Sequence, residues 1–294
     1  MNRRVLVTGS EGFTGRYVIN ALADAGWEVW GSGTGAIGST PRYVRLDLLV
    51  PSSIKSALEV AQPHLVIHLA AVSFAAEEDS SRYYYVNVIG AHNLLSALAS
   101  MRRSPDRVIL ASSANVYGNP DQCGIKETCK TKPQSDYAVS KLSMESVSRL
   151  FKGTFSINIV RPFNYTGIGQ SARFLVPKIV AHVRRRSPSI ELGNLEVERD
   201  FSDVRDIARY YVSLAEKGCD REIINFCSGQ LISLRSILQI ATEKTGHKMA
   251  VHVNPALTRK NEVFRLSGDR SNLDAIAGRH INFNIASTIE WMLG

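Results

Sequence analysis

A chain of 294 residues with 44% hydrophobic content and a net charge of +8 suits one large domain, or a domain with a smaller appendage, and can bury a sizeable core. The apolar run after Met1-Asn2-Arg3-Arg4 is too short for a signal-peptide core and no stretch reaches membrane-spanning length, so the expectation is a soluble, cytoplasmic protein with no membrane partner. The positive charge suits nucleic acid, an acidic membrane surface or an anionic substrate without choosing among them; Arg184-Arg185-Arg186 closes a predicted helix, where the dipole favours cations on a solvated face.

Arg3 to Thr8 is predicted as a buried strand, Phe13 to Ala25 as a helix and Glu28 to Gly31 as a second strand, a βαβ opening. The alternation continues with a strand at 43–46, a helix at 52–60, a strand at 65–69, a helix at 86–101, a strand at 107–111, a helix at 134–151 and a strand at 156–160. Alternating strands and helices imply an α/β fold with a doubly wound parallel sheet of Rossmann type. Beyond Thr166 the pattern loosens into helices at 172–186, 203–216 and 234–244 and a short strand at 190–192. The expected organisation is a dinucleotide-binding domain over 1–165 and a smaller substrate-binding lobe over 166–294, with some chain returning to the first domain. Cys123, Cys129, Cys219 and Cys227 have neither zinc-ribbon nor redox spacing, so they read as free thiols and no metal is expected.

Three segments carry chemistry. Gly9, Gly12 and Gly15 lie in Thr8-Gly9-Ser10-Glu11-Gly12-Phe13-Thr14-Gly15 between the first strand and first helix, where small residues let the backbone approach a pyrophosphate at a helix N-terminus; plain turn chemistry is the alternative. Ser113 follows the strand at 107–111 and so falls at the carboxyl edge of the sheet, where its hydroxyl can either bond a substrate carbonyl or cap the next turn. Tyr137 and Lys141 are four residues apart, hence on one helical face, where a nearby ammonium is expected to lower the phenol pKa. His68, between Ile67 and Leu69 on a buried strand, reads as a core histidine near the cofactor rather than a metal ligand.

Together with Asp47-Leu48, His68-Leu69-Ala70-Ala71, Ser113-Ala114-Asn115-Val116-Tyr117-Gly118 and Arg161-Pro162-Phe163-Asn164, these segments resemble the extended short-chain dehydrogenase/reductase family of nucleotide-sugar enzymes over nearly the whole chain. The resemblance implies that Gly9, Gly12, Phe13, Thr14 and Gly15 form the cofactor loop, that Asp47 and Leu48 contact adenine, and that Leu69, Ala70, Ala71 and Pro162 line the cofactor's path. It places Lys141 on the nicotinamide ribose and assigns catalysis to Ser113 and Tyr137 with Lys141. Ser73 and Asn164 would touch the sugar or its diphosphate, although each can also end its strand by local hydrogen bonding.

The second half, with 190–195 and 199–206, is similar to the stretch found in enzymes of GDP-mannose metabolism, and 259–263 to their later nucleotide-binding segment. By that resemblance Lys178, Leu192, Arg199, Arg259 and Glu262 would face a GDP-linked sugar, the arginines suiting a diphosphate through their forked donors. Surface arginines paired with Glu196 or Glu198 are the structural alternative. Dehydratases of this group carry a glutamate where this chain has Ala114-Asn115, and an amide cannot exchange the proton that elimination needs. The implied reaction is therefore reduction by NAD(P)H of the 4-keto group of a GDP-4-keto-6-deoxyhexose, giving GDP-D-rhamnose or its C4 epimer. A nucleotide-sugar 4-epimerase, a GDP-mannose 4,6-dehydratase and an inactive dinucleotide- or RNA-binding module are the alternatives. The second strand runs into Trp30-Gly31-Ser32-Gly33-Thr34 without the carboxylate that would bind the 2′-hydroxyl of NAD; with Ser32, Thr34, Arg16 and Arg42 nearby this tilts the cofactor toward NADP(H) over NAD(H). No nucleic-acid partner is expected, and the resemblance implies a homodimer through helices at 87–101 and 137–151.

Overall fold

The computed structural model describes residues 3–36, 40–73, 79–120, 123–257, 263–279 and 281–294. Its centre is a seven-stranded sheet built from β1 (Arg4–Thr8), β2 (Glu28–Gly33), β3 (Tyr43–Arg45), β4 (Leu65–His68), β5 (Arg107–Ala111), β6 (Ser156–Pro162) and, later in the chain, β10 (Ile223–Phe226). Every pairing in it is parallel and the order is β10-β6-β5-β4-β1-β2-β3. Parallel strands are covered on both faces, which is why these segments read as nearly continuous apolar runs. Val5 and Val7 face one core layer with Ile67, Ile109 and helix α6 (Val204–Lys217), whereas Leu6 faces the other with Val66, Val108 and Leu94.

From β1 the chain first builds outward to β3, then returns to lay β4 on β1's other side. The two halves of the sheet diverge at that point, and the crevice at the carboxyl ends of β1 and β4 is where such sheets bind ligands. Helix α1 (Phe13–Asp24) starts there with Gly12 at its N-cap and no side chain capping its first N–H groups. Helix α2 (Pro51–Ala61) and α3 (Gly90–Ala99) cover the face containing Leu6.

The helix expected at 86–101 begins earlier, as a π-helical stretch Tyr83–Ile89 that runs into α3. Its Asn87 is wholly buried: it accepts from Val72 N and donates to Val72 O and Ser140 Oγ, pinning the loop after β4. Helix α4 spans Asp136–Ser148, and its expected last turn is a 3-10 turn, Arg149–Phe151.

The second layer is β7 (Asn164–Thr166) paired with β9 (Glu198–Asp203), which also pairs β11 (Leu231–Ser233) and β13 (Arg265–Leu266), plus the parallel pair β8 (Ser189–Leu192) and β12 (Ala250–Val253). Helices α5 (Leu175–Arg184), α7 (Leu234–Thr245) and α9 (Ile285–Leu293) bury Val176, Ile179, Leu192, Ile237 and Ile289 together. A division at 165/166 falls inside β7, and α6, β10 and α8 (Ser271–Ala277) pack with the central sheet. Tertiary pairing, not local pattern, decides this, because the short strand at β10 and the amphipathic α6 look alike whichever layer they join. Among the described residues no helix is long and apolar enough to cross a membrane.

Candidate functional site

The carboxyl ends of β1, β4, β5 and β6 open onto a cleft of about 810 Å³ between the sheet and the second layer. Gly9, Gly12, Phe13, Thr14, Gly15, Leu69, Ala70, Ala71, Ser73, Ser113, Tyr137, Lys141, Pro162, Asn164, Lys178, Leu192 and Arg199 all line it. Residues dispersed over nearly two hundred positions therefore share one cavity. Asp47 and Leu48 are not among its lining. The Asp47 carboxylate accepts from Leu49 N at 2.9 Å, ordering the turn before α2, and Leu48 is buried against Gly90. Arg259 and Glu262 lie outside the described residues.

At the cofactor end, Gly9 adopts φ +71°, and a Cβ there would stand 2.8 Å from the Ala70 backbone. A Cβ on Gly15 would collide with the Gly9 and Ser10 carbonyl oxygens. These contacts and the uncapped start of α1 form a cradle that fits a pyrophosphate, negative charge being favoured at a helix N-terminus. Phe13 stacks on Tyr165 with centroids 6.0 Å apart, and Thr14 Oγ1 lies 2.8 Å from the Tyr165 hydroxyl, so the loop is fastened to β7. The grounds for a 2′-phosphate change in three dimensions. Ser32 is wholly buried and its hydroxyl donates to Val7 O at 3.4 Å, while Arg42 Nε lies 3.5 Å from Glu28. Thr34 and Arg16 are exposed, and the Glu11 carboxylate of the glycine loop reaches close enough to Tyr43 to push its phenol pKa up, after burial.

At the other end of the cleft, the capping reading of Ser113 holds, and its hydroxyl is at the same time on the cleft. Its Oγ accepts from Asn115 N at 3.2 Å, capping the 3-10 turn Ala114–Tyr117, and its side chain lies on the same cleft as the Tyr137 phenol. Burial pushes the Tyr137 pKa well above its ordinary 10; the neighbouring Ser113 side chain lowers it by less, and Tyr165 and Tyr83 add to the rise. This corrects the expectation that Lys141 lowers the phenol pKa. The i, i+4 spacing does set both residues on the cleft, but Lys141 Nζ donates to Ala111 O at 2.8 Å, and desolvation of the phenol dominates. Burial also brings the Lys141 ammonium down to about 8, with Glu145 acting in the opposite sense.

His68 sits beneath, 2% exposed, with Nδ1 2.7 Å from Thr8 Oγ1 and, among the described residues, no partner for Nε2. Burial, then the Lys141 charge, lower its pKa to about 3, so it is a neutral core imidazole. At the far end, Lys178 Nζ donates to Glu191 O at 2.6 Å, and Arg199 Nη1 donates to Glu198 O and Phe264 O. The four cysteines are free thiols.

The residues that sequence reasoning missed lie one layer below. Glu145 is wholly buried, bonded by Ser112 Oγ and held by Arg161 through Nε–Oε1 at 2.9 Å and Nη2–Oε2 at 2.6 Å. The signal was available: Glu145 follows Lys141 by the same four residues that separate Lys141 from Tyr137.

The family model for the NAD dependent epimerase/dehydratase family matches residues 5–227. The chain belongs to that family, and with a doubly wound sheet and a Ser-Tyr-Lys cleft it is an NAD(P)-dependent oxidoreductase of the extended short-chain type. It is 33% identical over 287 residues to GDP-6-deoxy-D-talose 4-dehydrogenase of Aggregatibacter actinomycetemcomitans, covering 97% of this chain and 95% of the relative. It is 30% identical over 304 residues to GDP-6-deoxy-D-mannose reductase of Pseudomonas aeruginosa, covering 100% and 97%. Among solved structures, a Burkholderia cenocepacia J2315 protein provisionally described as an epimerase is 41% identical with a TM-score of 0.92, over 99% of this chain and 97% of that one. RMD from Pseudomonas aeruginosa complexed with NADPH is 29% identical with a TM-score of 0.87, over 100% and 97%.

Proposed function

We propose that this protein reduces the 4-keto group of a GDP-4-keto-6-deoxyhexose with NADPH, giving GDP-D-rhamnose or its C4 epimer, GDP-6-deoxy-D-talose. The observation that carries the reading is one cleft lined by Ser113, Tyr137 and Lys141 whose neighbouring lining residue is Asn115 rather than an acid. The names of two relatives similar along their whole length supply the guanosine diphosphate and the 4-position.

The bound nicotinamide cofactor supplies the hydride. Tyr137, kept as the neutral phenol by burial, donates its proton to the oxygen developing negative charge at carbon 4. Ser113 holds that oxygen beside the phenol. Lys141 presents its ammonium to the ribose side of the cleft, anchored on the Ala111 carbonyl. Asn115 can orient the sugar but cannot shuttle the carbon 5 proton of a dehydration. Arg199 and Lys178, on the second layer, suit the diphosphate. NADPH is favoured by the absence of a carboxylate on the residues ending β2 and by the exposed Arg16 and Thr34.

The test is incubation of purified protein with GDP-4-keto-6-deoxymannose and NADPH, with the product assigned by NMR. Stoichiometric NADPH consumption with formation of one GDP-6-deoxyhexose is expected. Interconversion of C4 epimers without net NADPH consumption would establish an epimerase instead, and conversion of GDP-mannose with NADP⁺ would mean that another residue does the work denied to Asn115.

A further inference from the structure

Tyr211 of α6 is a buried tyrosine that the proposed reaction does not use. It is 1% exposed, and its ring meets Phe226 of β10 edge-on, with centroids 5.1 Å apart, in the core layer that also holds Val5, Val7 and Ile109. A buried phenol normally finds a hydrogen-bond partner, because an unmade bond costs the desolvation of the hydroxyl. This protein follows the rule elsewhere. Tyr117 donates to Asn225 Oδ1 at 2.7 Å, the Tyr165 hydroxyl lies 2.8 Å from Thr14 Oγ1, and Tyr210 accepts from Arg270 Nη1 at 3.2 Å.

Among the described residues nothing bonds the Tyr211 hydroxyl, and Tyr211 lines the cleft. Its oxygen is not sealed in the core as the unpartnered Trp27 Nε1 and His68 Nε2 are. With the ring enclosed, the little surface the side chain keeps is at the hydroxyl, on the cleft.

Its place along the cleft follows from the sheet. Phe226, against which the ring packs, is in register with Pro162 at the end of β6, and Phe163 N donates to Phe226 O at 2.8 Å. Strands β6 and β10 close the sheet on the side opposite β2 and β3. In a doubly wound sheet the end of β2 takes the adenosine ribose of a dinucleotide, so the β6 side takes the nicotinamide half. That half offers the pyrophosphate, a ribose and the carboxamide on the pyridine ring. The uncapped start of α1 suits the pyrophosphate and Lys141 the ribose, which leaves the carboxamide to be matched. A phenol matches it, since each group carries both a donor and an acceptor. Burial, then Tyr165 and Tyr137, push the Tyr211 pKa well above the ordinary 10, so the hydroxyl keeps its proton at neutral pH.

The structure assigns Tyr211 as a cofactor-binding residue whose hydroxyl hydrogen-bonds the nicotinamide carboxamide. The inference deepens the cofactor part of the proposed function and does not depend on the sugar.

The experiment is calorimetric titration of wild type and Tyr211→Phe with NADP⁺, NAD⁺ and the two matching fragments, 2′-phospho-ADP-ribose and ADP-ribose, which keep the pyrophosphate and both riboses but lack the pyridine ring. Tyr211→Phe removes one oxygen and keeps the edge contact with Phe226. Without nucleotide it should unfold in urea no more readily than wild type, because no bond within the protein is lost. Expected is a dissociation constant for the tighter-binding dinucleotide raised about three- to tenfold in the variant, the loss of one neutral hydrogen bond, with its fragment bound as in wild type. An unchanged constant for the dinucleotide overturns the proposal. So does an equal loss for the fragment, which would put the hydroxyl on the pyrophosphate or a ribose, and so does a nucleotide-free variant that unfolds more readily, which would reveal a partner inside the protein. A wild type that binds neither dinucleotide would remove the cofactor reading and this inference with it. The expected binding loss without reduction of the 4-keto sugar would uphold the inference and count against the sugar assignment alone.

Discussion

Replacing Lys141 with methionine should stabilise the folded protein at neutral pH while removing turnover. The folded lysine titrates at about 8, against about 10.4 for an unfolded chain, a depression worth roughly 3 kcal/mol. The sign follows from proton counting. Below pH 8 both states carry the ammonium, and the folded state bears the full cost of burying it. Between about 8 and 10.4 the folded protein gives up the proton first, the unfolded state binds more protons, and stability rises with pH. Methionine keeps a long unbranched stem and has no charge to desolvate, but it strands the Ala111 carbonyl, a loss of about 1 kcal/mol. A net gain of roughly 1–2 kcal/mol at pH 7 is expected, shrinking toward zero or reversing at pH 9.5. Urea unfolding of wild type and Lys141→Met at the two pH values measures it. A variant less stable than wild type at pH 7, or a difference that does not change with pH, would refute the reasoning that burial of this charge is costly.

Tyr137→Phe should lower kcat by roughly 100- to 10,000-fold, while the NADPH dissociation constant stays close to wild type; Ser113→Ala should be milder because it removes a hydrogen-bonding partner rather than the proton donor. More than a tenth of wild-type turnover in Tyr137→Phe would take the phenol out of the mechanism. Arg199→Ala should weaken GDP binding in calorimetry and raise KM more than it lowers kcat, since it removes a forked donor from the cleft; tighter binding of UDP than GDP would argue against the guanosine nucleotide. Glu11→Gln should raise the ratio of kcat/KM for NADPH over NADH, because it removes a negative charge near the end of β2; an unchanged ratio would place the 2′-phosphate elsewhere.

The alternating apolar runs were enough to specify a doubly wound sheet, because a strand covered on both faces must be apolar throughout and its crossover helices must be amphipathic. The glycine loop, Ser113, Tyr137 and Lys141 were likewise legible, since each has a local steric or periodic reason: Gly9 occupies a conformation a side chain would not tolerate, and the tyrosine and lysine share a helical face. What only tertiary structure decided was the company these residues keep. The phenol was expected to be tuned by the lysine four residues on, yet its pKa is set chiefly by burial, with Ser113 acting on it from the turn after β5. Ser32 carries the right group for a phosphate but faces Val7 inside the sheet, and Asp47 orders its own turn instead of lining the cleft. The return of β10 to the sheet, and the Glu145–Arg161 pair beneath Lys141, depend on contacts between distant segments that no periodicity encodes. Backbone conformation and facing are local properties; desolvation and charge pairing belong to the packed molecule, and in this protein they govern the protonation of Tyr137 and Lys141.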